Sequence, residues 1–257
     1  MARTEVLRGH GMVFGLRGPV ALVKTELASA AMRRALCAEF LGCLLFVVFG
    51  AGTAIVTGGL LGEKLASARL LVIALAHGVA FLLLVAATLP ISGGHLNPAI
   101  TFAAMLVRKI SVMKAVMYTA VQCAGAACGA TLLTFMIPAG TQGNLGTHML
   151  GLRVTVGGGL TTEIVLTFML VSAVFATTMN GSRPVALGAA AIGLASVLGY
   201  LFALPLTGAS MNPARSFGPA FVTGFWKDQW IFWVGPLAGG ALAAFVHEYL
   251  ASSDRRS

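Results

Sequence analysis

The chain predicts an all-α membrane protein: six transmembrane helices and two re-entrant half-helices arranged as an inverted repeat. Three observations carry that prediction. Charged residues make up 10% of the 257 and hydrophobic ones 58%, with mean hydropathy +0.90, whereas soluble globular chains carry about 25% charge. Six apolar runs are long enough to cross a bilayer, which takes about 20 helical residues. A polar, glycine-bearing turn ending in Asn-Pro-Ala occurs twice, once in each half, as Asn97, Pro98, Ala99 and as Asn212, Pro213, Ala214.

Taken from the N-terminus, residues 1–35 hold Arg3, Arg8, Arg17, Lys24, Arg33 and Arg34 without an apolar stretch ending in a cleavage site. They read as a cytoplasmic tail rather than a signal peptide. The six spans are Leu36 to Val56, Leu70 to Leu89, Val116 to Met136, Leu160 to Met179, Val185 to Leu204 and Trp230 to Leu250. The stretches from Asn97 to Val107 and from Asn212 to Val222 are apolar but about half the crossing length, so they are expected to be half-helices. Each opens as a helix should, with Asn as N-cap and Pro in the first turn, where its missing N–H has no partner to lose. A short tail, residues 251–257, closes the chain.

The net charge of +9 is spread over short segments between the apolar runs, which suits topology and anionic headgroups and not a nucleic-acid surface. With the N-terminus inside, the cytoplasmic segments hold the six tail residues plus Arg108, Lys109, Lys114, Arg183, Arg255 and Arg256. The other face keeps Lys64, Arg69, Arg153, Arg215 and Lys227. That asymmetry places both termini in the cytoplasm, and it puts the Asn180-Gly181-Ser182 glycosylation pattern on the wrong side, where it reads as a tight turn. Cys37, Cys43, Cys123 and Cys128 lie in apolar runs without metal spacing and read as small hydrophobes.

The duplication extends beyond the two turns. Glu39 opens the first span as Glu163 opens the fourth, and Gly125/Gly129 in the third match Gly235/Gly239 in the sixth. Repeat one covers about 36–136 and repeat two about 160–250. Each holds three spans and a half-helix, and an odd number of spans inverts the second copy about an axis in the membrane plane. The half-helices therefore enter from opposite faces with their N-termini converging near the midplane. Backbone that leaves helix at that depth requires protein or a water-filled cavity around it. Two helix N-termini aimed at one point create a positive potential there, which repels cations and admits a neutral molecule with a lone pair. The amides of Asn97 and Asn212 can donate to such a molecule. Arg215, within one turn of Asn212, reads as a pore-facing charge rather than a snorkelling or ion-paired one. Glu39 and Glu163 read as acceptors for N–H groups of the two turns, with proton coupling as the alternative. His95 is expected to tie the first turn to neighbouring backbone. His77 taken alone reads first as a satisfied core histidine. No nucleophile with a positioned base, metal spacing or phosphate loop points to an enzyme.

The paired Asn-Pro-Ala repeats, Glu39 and Glu163, and Trp230-Ile231-Phe232-Trp233-Val234-Gly235-Pro236 together resemble the aquaporin (major intrinsic protein) family over residues about 35 to 250. The resemblance implies an aquaporin-like fold, a homotetramer with one pore per subunit, no cofactor and no metal. It also implies an aromatic/arginine selectivity filter at His77, Tyr200, Ala209 and Arg215. Ser216, Ala220 and the pair Phe232 and Trp233 match the pattern of water-selective members, where glycerol-conducting ones carry an Asp and a basic residue at the first two. Within the family, Ser92-Gly93-Gly94-His95, Gly208-Ala209-Ser210-Met211 and His77 look most like the plant tonoplast group, from which Tyr200 departs in place of an aliphatic residue. The function so implied is a passive water channel excluding ions and protons and also open to small neutral solutes, in the vacuolar or plasma membrane. Its rivals are a broader pore for glycerol, urea, ammonia or hydrogen peroxide, and an inverted-repeat secondary transporter.

Overall fold

The computed structural model describes residues 29–61, 66–179 and 184–253; the N-terminal tail, Lys64, Asn180 to Arg183 and the last four residues lie outside them. The described residues form α1 (Ala30–Leu61), α2 (Ala66–Ser92), α3 (Pro98–Leu106), α4 (Val112–Met136), α5 (Val156–Val174), α6 (Val185–Thr207), α7 (Pro213–Thr223) and α8 (Ile231–Ser253). All the long ones, α1, α2, α4, α5, α6 and α8, are apolar and long enough to cross a membrane, as the six runs predict. α1 starts six residues before its apolar run, because hydropathy marks what enters lipid while Arg33 and Arg34 continue the same helix beyond it. A π-helical turn, Phe175–Met179, extends α5.

The interior is largely apolar, as in a water-soluble protein, but it also holds a set of buried polar groups, and the outer surface is apolar too. Glu39, His77, Asn97, Thr101, Gln122, Glu163 and Ser216 are fully buried, while Phe49, Leu83, Phe135, Leu194, Phe202 and Phe221 are exposed. In lipid that outward apolar face carries no penalty, and the buried polar groups must find partners inside.

Packing follows the repeat. α1 packs on α4 as α5 packs on α8, α4 on α7 as α8 on α3, α1 on α2 as α5 on α6, and α2 and α6 pack on each other across the pseudo-twofold axis. The close pairs depend on glycine. A Cβ on Gly125 of α4 would collide with the Phe40 carbonyl of α1, and one on Gly239 of α8 with the Ile164 carbonyl of α5. Without a hydrophobic drive between helices in lipid, such backbone approach is what van der Waals attraction requires. Pro90 and Pro205 sit in the last turns of α2 and α6, where a missing N–H and ring bulk end a helix. The chain thus leaves helix at equivalent depths in both halves.

Candidate functional site: two turns and the cavity they floor

The two turns are held by closely matching bonds, the turn residues of one copy lying 115 positions after those of the other. Asn97 caps α3 through Ala99 N–H to its Oδ1 at 2.8 Å, and Asn212 caps α7 through Ala214 N–H at 3.0 Å. Leu96 and Met211, just before them, have φ 49 and 51°, and Gly94 and Ala209 φ 61 and 56°. Left-handed backbone at Leu, Met and Ala is costly, so the surroundings must impose it. The glutamates are those surroundings. Glu39 accepts from Ser92 Oγ (2.6 Å), His95 N (3.0 Å), Leu96 N (2.6 Å) and Gln122 Nε2 (2.8 Å). Glu163 accepts from Thr207 Oγ1 (2.6 Å), Ser210 N (2.9 Å) and Met211 N (2.8 Å). One carboxylate per turn thus takes two backbone N–H groups and a hydroxyl that non-helical backbone would otherwise leave unpaired in an apolar medium.

The tips touch. Asn97 Nδ2 donates to Met211 O at 2.8 Å, and Asn212 Nδ2 donates to Leu96 O at 2.9 Å. Each amide therefore gives one of its two hydrogens to the opposite turn and has a second still to donate, a division that the motif alone does not reveal. The partner of the His95 ring also differs from the expectation: Nδ1 meets Thr101 Oγ1 of α3 at 3.0 Å, a side chain rather than backbone. Thr101 is reachable because α3 brings it back over the turn that precedes it.

Two cavities flank the tips on the side of the membrane opposite the start of α1. The larger is a vestibule of about 620 Å³ walled by the end of α1, the start of α2, the 146–148 loop, the end of α6 and Arg215. The smaller, about 10 Å³, lies between Asn97, Asn212, Phe46, Phe81, Ser196 and Tyr200, room for about one water. Tyr200 belongs to both linings. Its ring stacks on His77 with centroids 3.9 Å apart and 27° between planes.

At that narrowing four buried polar atoms have no hydrogen-bond partner among the described residues: His77 Nε2, Tyr200 Oη, Arg215 Nε and His148 Nε2. His77 Nδ1 lies 2.9 Å from the Ile73 carbonyl, which can only accept. Nδ1 therefore carries the hydrogen and Nε2 offers a lone pair. Arg215 is aimed by Nη1 donating to Gly146 O at 2.9 Å. On the side of the second turn the vestibule wall is Gly208, with Ala209 fully buried beside it.

His148 is the residue that sequence reasoning did not single out. It lies in the loop between α4 and α5, yet is only 3% exposed. Its Nδ1 meets Ser216 Oγ at 2.7 Å, its carbonyl accepts from Gln229 Nε2 at 2.8 Å, and its ring packs on Phe232. Burial first, then Arg215 and His77, push its pKa well below the usual histidine range. The ring is neutral at physiological pH. A histidine after Leu145-Gly146-Thr147 carries no periodicity signal, and its position comes from a loop folded back into the mouth.

Helices in two inverted halves, with half-helices meeting at a polar tip and an open vestibule above it, make this a membrane channel. The comparisons agree. The Major intrinsic protein family model matches residues 26–247. Human aquaporin-4 is 43% identical over 227 residues, spanning 86% of this chain and 68% of that protein. Rat aquaporin-5 is 43% identical over 230 residues, spanning 89% and 84%. The chain belongs to the major intrinsic protein family. Its fold is also that of the aquaglyceroporin from Plasmodium falciparum, with TM-score 0.71 at 21% identity over 84% of this chain and 93% of that one.

Proposed function

We propose that the protein is a passive transmembrane water channel that turns back ions and protons and also passes small neutral solutes; it is not an enzyme. The observation that carries this reading is the tip-to-tip contact of α3 and α7, each Asn amide keeping one N–H beside a void the size of a water. Two helix N-termini add positive potential at that point. A water oxygen accepting there is turned away from relaying a proton, and a cation meets a barrier.

His77, Tyr200, Ala209 and Arg215 form the selectivity filter in this reading, with Glu39, Glu163 and His95 supporting the turns. The four unpartnered atoms at the narrowing supply both donors and an acceptor. A permeating water can thus exchange its bulk hydrogen bonds for filter bonds one at a time. The aquaporin-4 and aquaporin-5 relatives support water as the main permeant.

The channel domain is residues 36–250, in two repeats, with cytoplasmic tails at both ends. The working form is a homotetramer with a pore in each subunit. The basic-residue asymmetry supports the orientation. The motifs around Asn97 and Asn212, with His77, support the tonoplast likeness; imaging a tagged chain against vacuolar and plasma-membrane markers tests it. Stopped-flow light scattering on reconstituted vesicles, with water, glycerol, urea and ammonia compared in one preparation, tests the function. Water permeability well above protein-free vesicles with no proton leak is expected. Background water flux, or glycerol entry as fast as water, overturns it.

A further inference from the structure

The vestibule is larger than a single file of water needs and, among the described residues, is charged in one sense only. Arg69 and Arg215 both line it, and no Asp or Glu does among the described residues. Among the described residues neither arginine pairs with a carboxylate there. Arg69 donates Nη2 to the Ala54 carbonyl at 3.1 Å, and Arg215 donates Nη1 to the Gly146 carbonyl, so each is braced by neutral backbone while its charge remains. The Nε of each is buried with no partner; Arg215 is 3% exposed. Two like charges on walls of low polarisability focus a positive field into the space between them.

The opposite character lies beside them. Ala54, Leu70, Ile73, Leu204 and Pro205 form an apolar wall. At about 620 Å³ the volume falls in the ordinary range of small-molecule sites, which combine apolar walls with a few orienting polar groups.

We propose that this vestibule is a binding site for a small organic anion, one oxyanion head on a compact apolar body, and that its occupancy plugs the water path. The head sits in the field of Arg69 and Arg215 and the body against the Leu70, Ile73 and Leu204 wall. Guanidinium groups pair with planar or trigonal oxyanions through several N–H donors at once. The floor keeps the ion from passing. His77 and Tyr200 stack across it, and the bare lone pair of His77 Nε2, fixed by the Nδ1 bond to Ile73, repels a negative head. The anion is thus a plug and not a permeant.

Benzenesulfonate is a suitable probe because it stays ionised and has no membrane-permeant acid form. Ordinary ligand efficiency for an ion of about ten heavy atoms places Kd on the order of 10 mM. Vesicles holding the full chain are loaded and bathed with equal benzenesulfonate, so that both insertion orientations see the ion, and water permeability is read by stopped flow. A graded block with its midpoint near ~10 mM is expected, with none from neutral benzenesulfonamide at the same concentration. Arg69→Gln, two helical turns from the filter, should leave water flux without the ion unchanged and raise the midpoint about ten-fold, the loss of one charge-assisted contact. Ser67→Glu, an exposed position on the same wall, should abolish the block by neutralising the field, which keeps the test alive if Arg69→Gln fails to assemble. Equal block by the sulfonamide, no block by the sulfonate, or block indifferent to both substitutions overturns the proposal. Calorimetric titration of the detergent-purified protein with benzenesulfonate reads binding without any flux. Heat of binding in a protein that conducts no water would sink the water-channel reading and leave this site standing, and the absence of heat would sink the site alone.

Discussion

The Arg215 guanidinium donates to the Gly146 carbonyl and leaves its Nε unpaired in a buried mouth, so in the proposed filter its value lies in what it offers a permeant. Replacing it with Val should retain water flux while admitting larger solutes or protons, measured as vesicle re-swelling in iso-osmotic urea and as collapse of a pH gradient. Permeability unchanged for every solute and ion would remove Arg215 from the filter. Tyr200 fills space next to His77 at a 3.9 Å stack; Tyr200→Gly should widen the narrowing towards glycerol, and unaltered size exclusion would show that the ring does not gate it. His148 makes a prediction about pH. Its folded pKa lies below the unfolded value near 6.5, so between the two the unfolded chain binds a proton that the folded one refuses. Stability is then full above about pH 6.5 and falls as pH drops towards the folded pKa, by up to about 1.4 kcal/mol per pH unit. Thermal unfolding in detergent from pH 7 to pH 5 should show a shallower loss for His148→Gln than for the native chain. Equal slopes would mean that the ring is not held neutral.

At the scale of elements, the two half-helices exist because a carboxylate waits beside each turn. α3 and α7 are too short to be stable alone, and their preceding backbone is left-handed at non-glycine residues. Glu163→Gln keeps the shape but replaces an acceptor oxygen with an NH₂ facing N–H donors. Each buried donor left unsatisfied costs about 1–3 kcal/mol, so lower folded yield and thermal stability are expected, with water flux per folded channel reduced as the α7 tip loosens. A variant as stable and as conductive as the native protein would mean that the turn is held by Thr207 and packing alone. The presence of these elements was legible in the chain: the short apolar runs after Asn97 and Asn212, and a glutamate at the start of spans one and four. The register of their bonds was not. Which Asn hydrogen meets which carbonyl depends on two segments more than a hundred positions apart arriving at one point, and that His95 finds Thr101 depends on how α3 folds back over its own turn.

Over the whole molecule, the inverted repeat makes one half's exit depth match the other's, so that two weak local features combine into a single barrier. It also leaves a broad apolar outer surface, which lipid covers in part and which neighbouring subunits cover in the proposed tetramer. Native mass spectrometry from mild detergent should find four times the 26.4 kDa chain, and a monomer as the sole species would overturn the assembly.

By itself the sequence determined the membrane setting, the count of spans, the inversion and the place of the two turns, because hydropathy, Asn-Pro capping and an odd number of spans are local or countable properties. Only the tertiary structure decided that His148 folds into the mouth, that Tyr200 lies flat on His77, and that Arg69 shares a cavity with Arg215. Those are meetings of side chains from segments distant along the chain. Packing, and the need to pair every buried polar group in an apolar medium, choose among many arrangements that the same pattern of residues would allow.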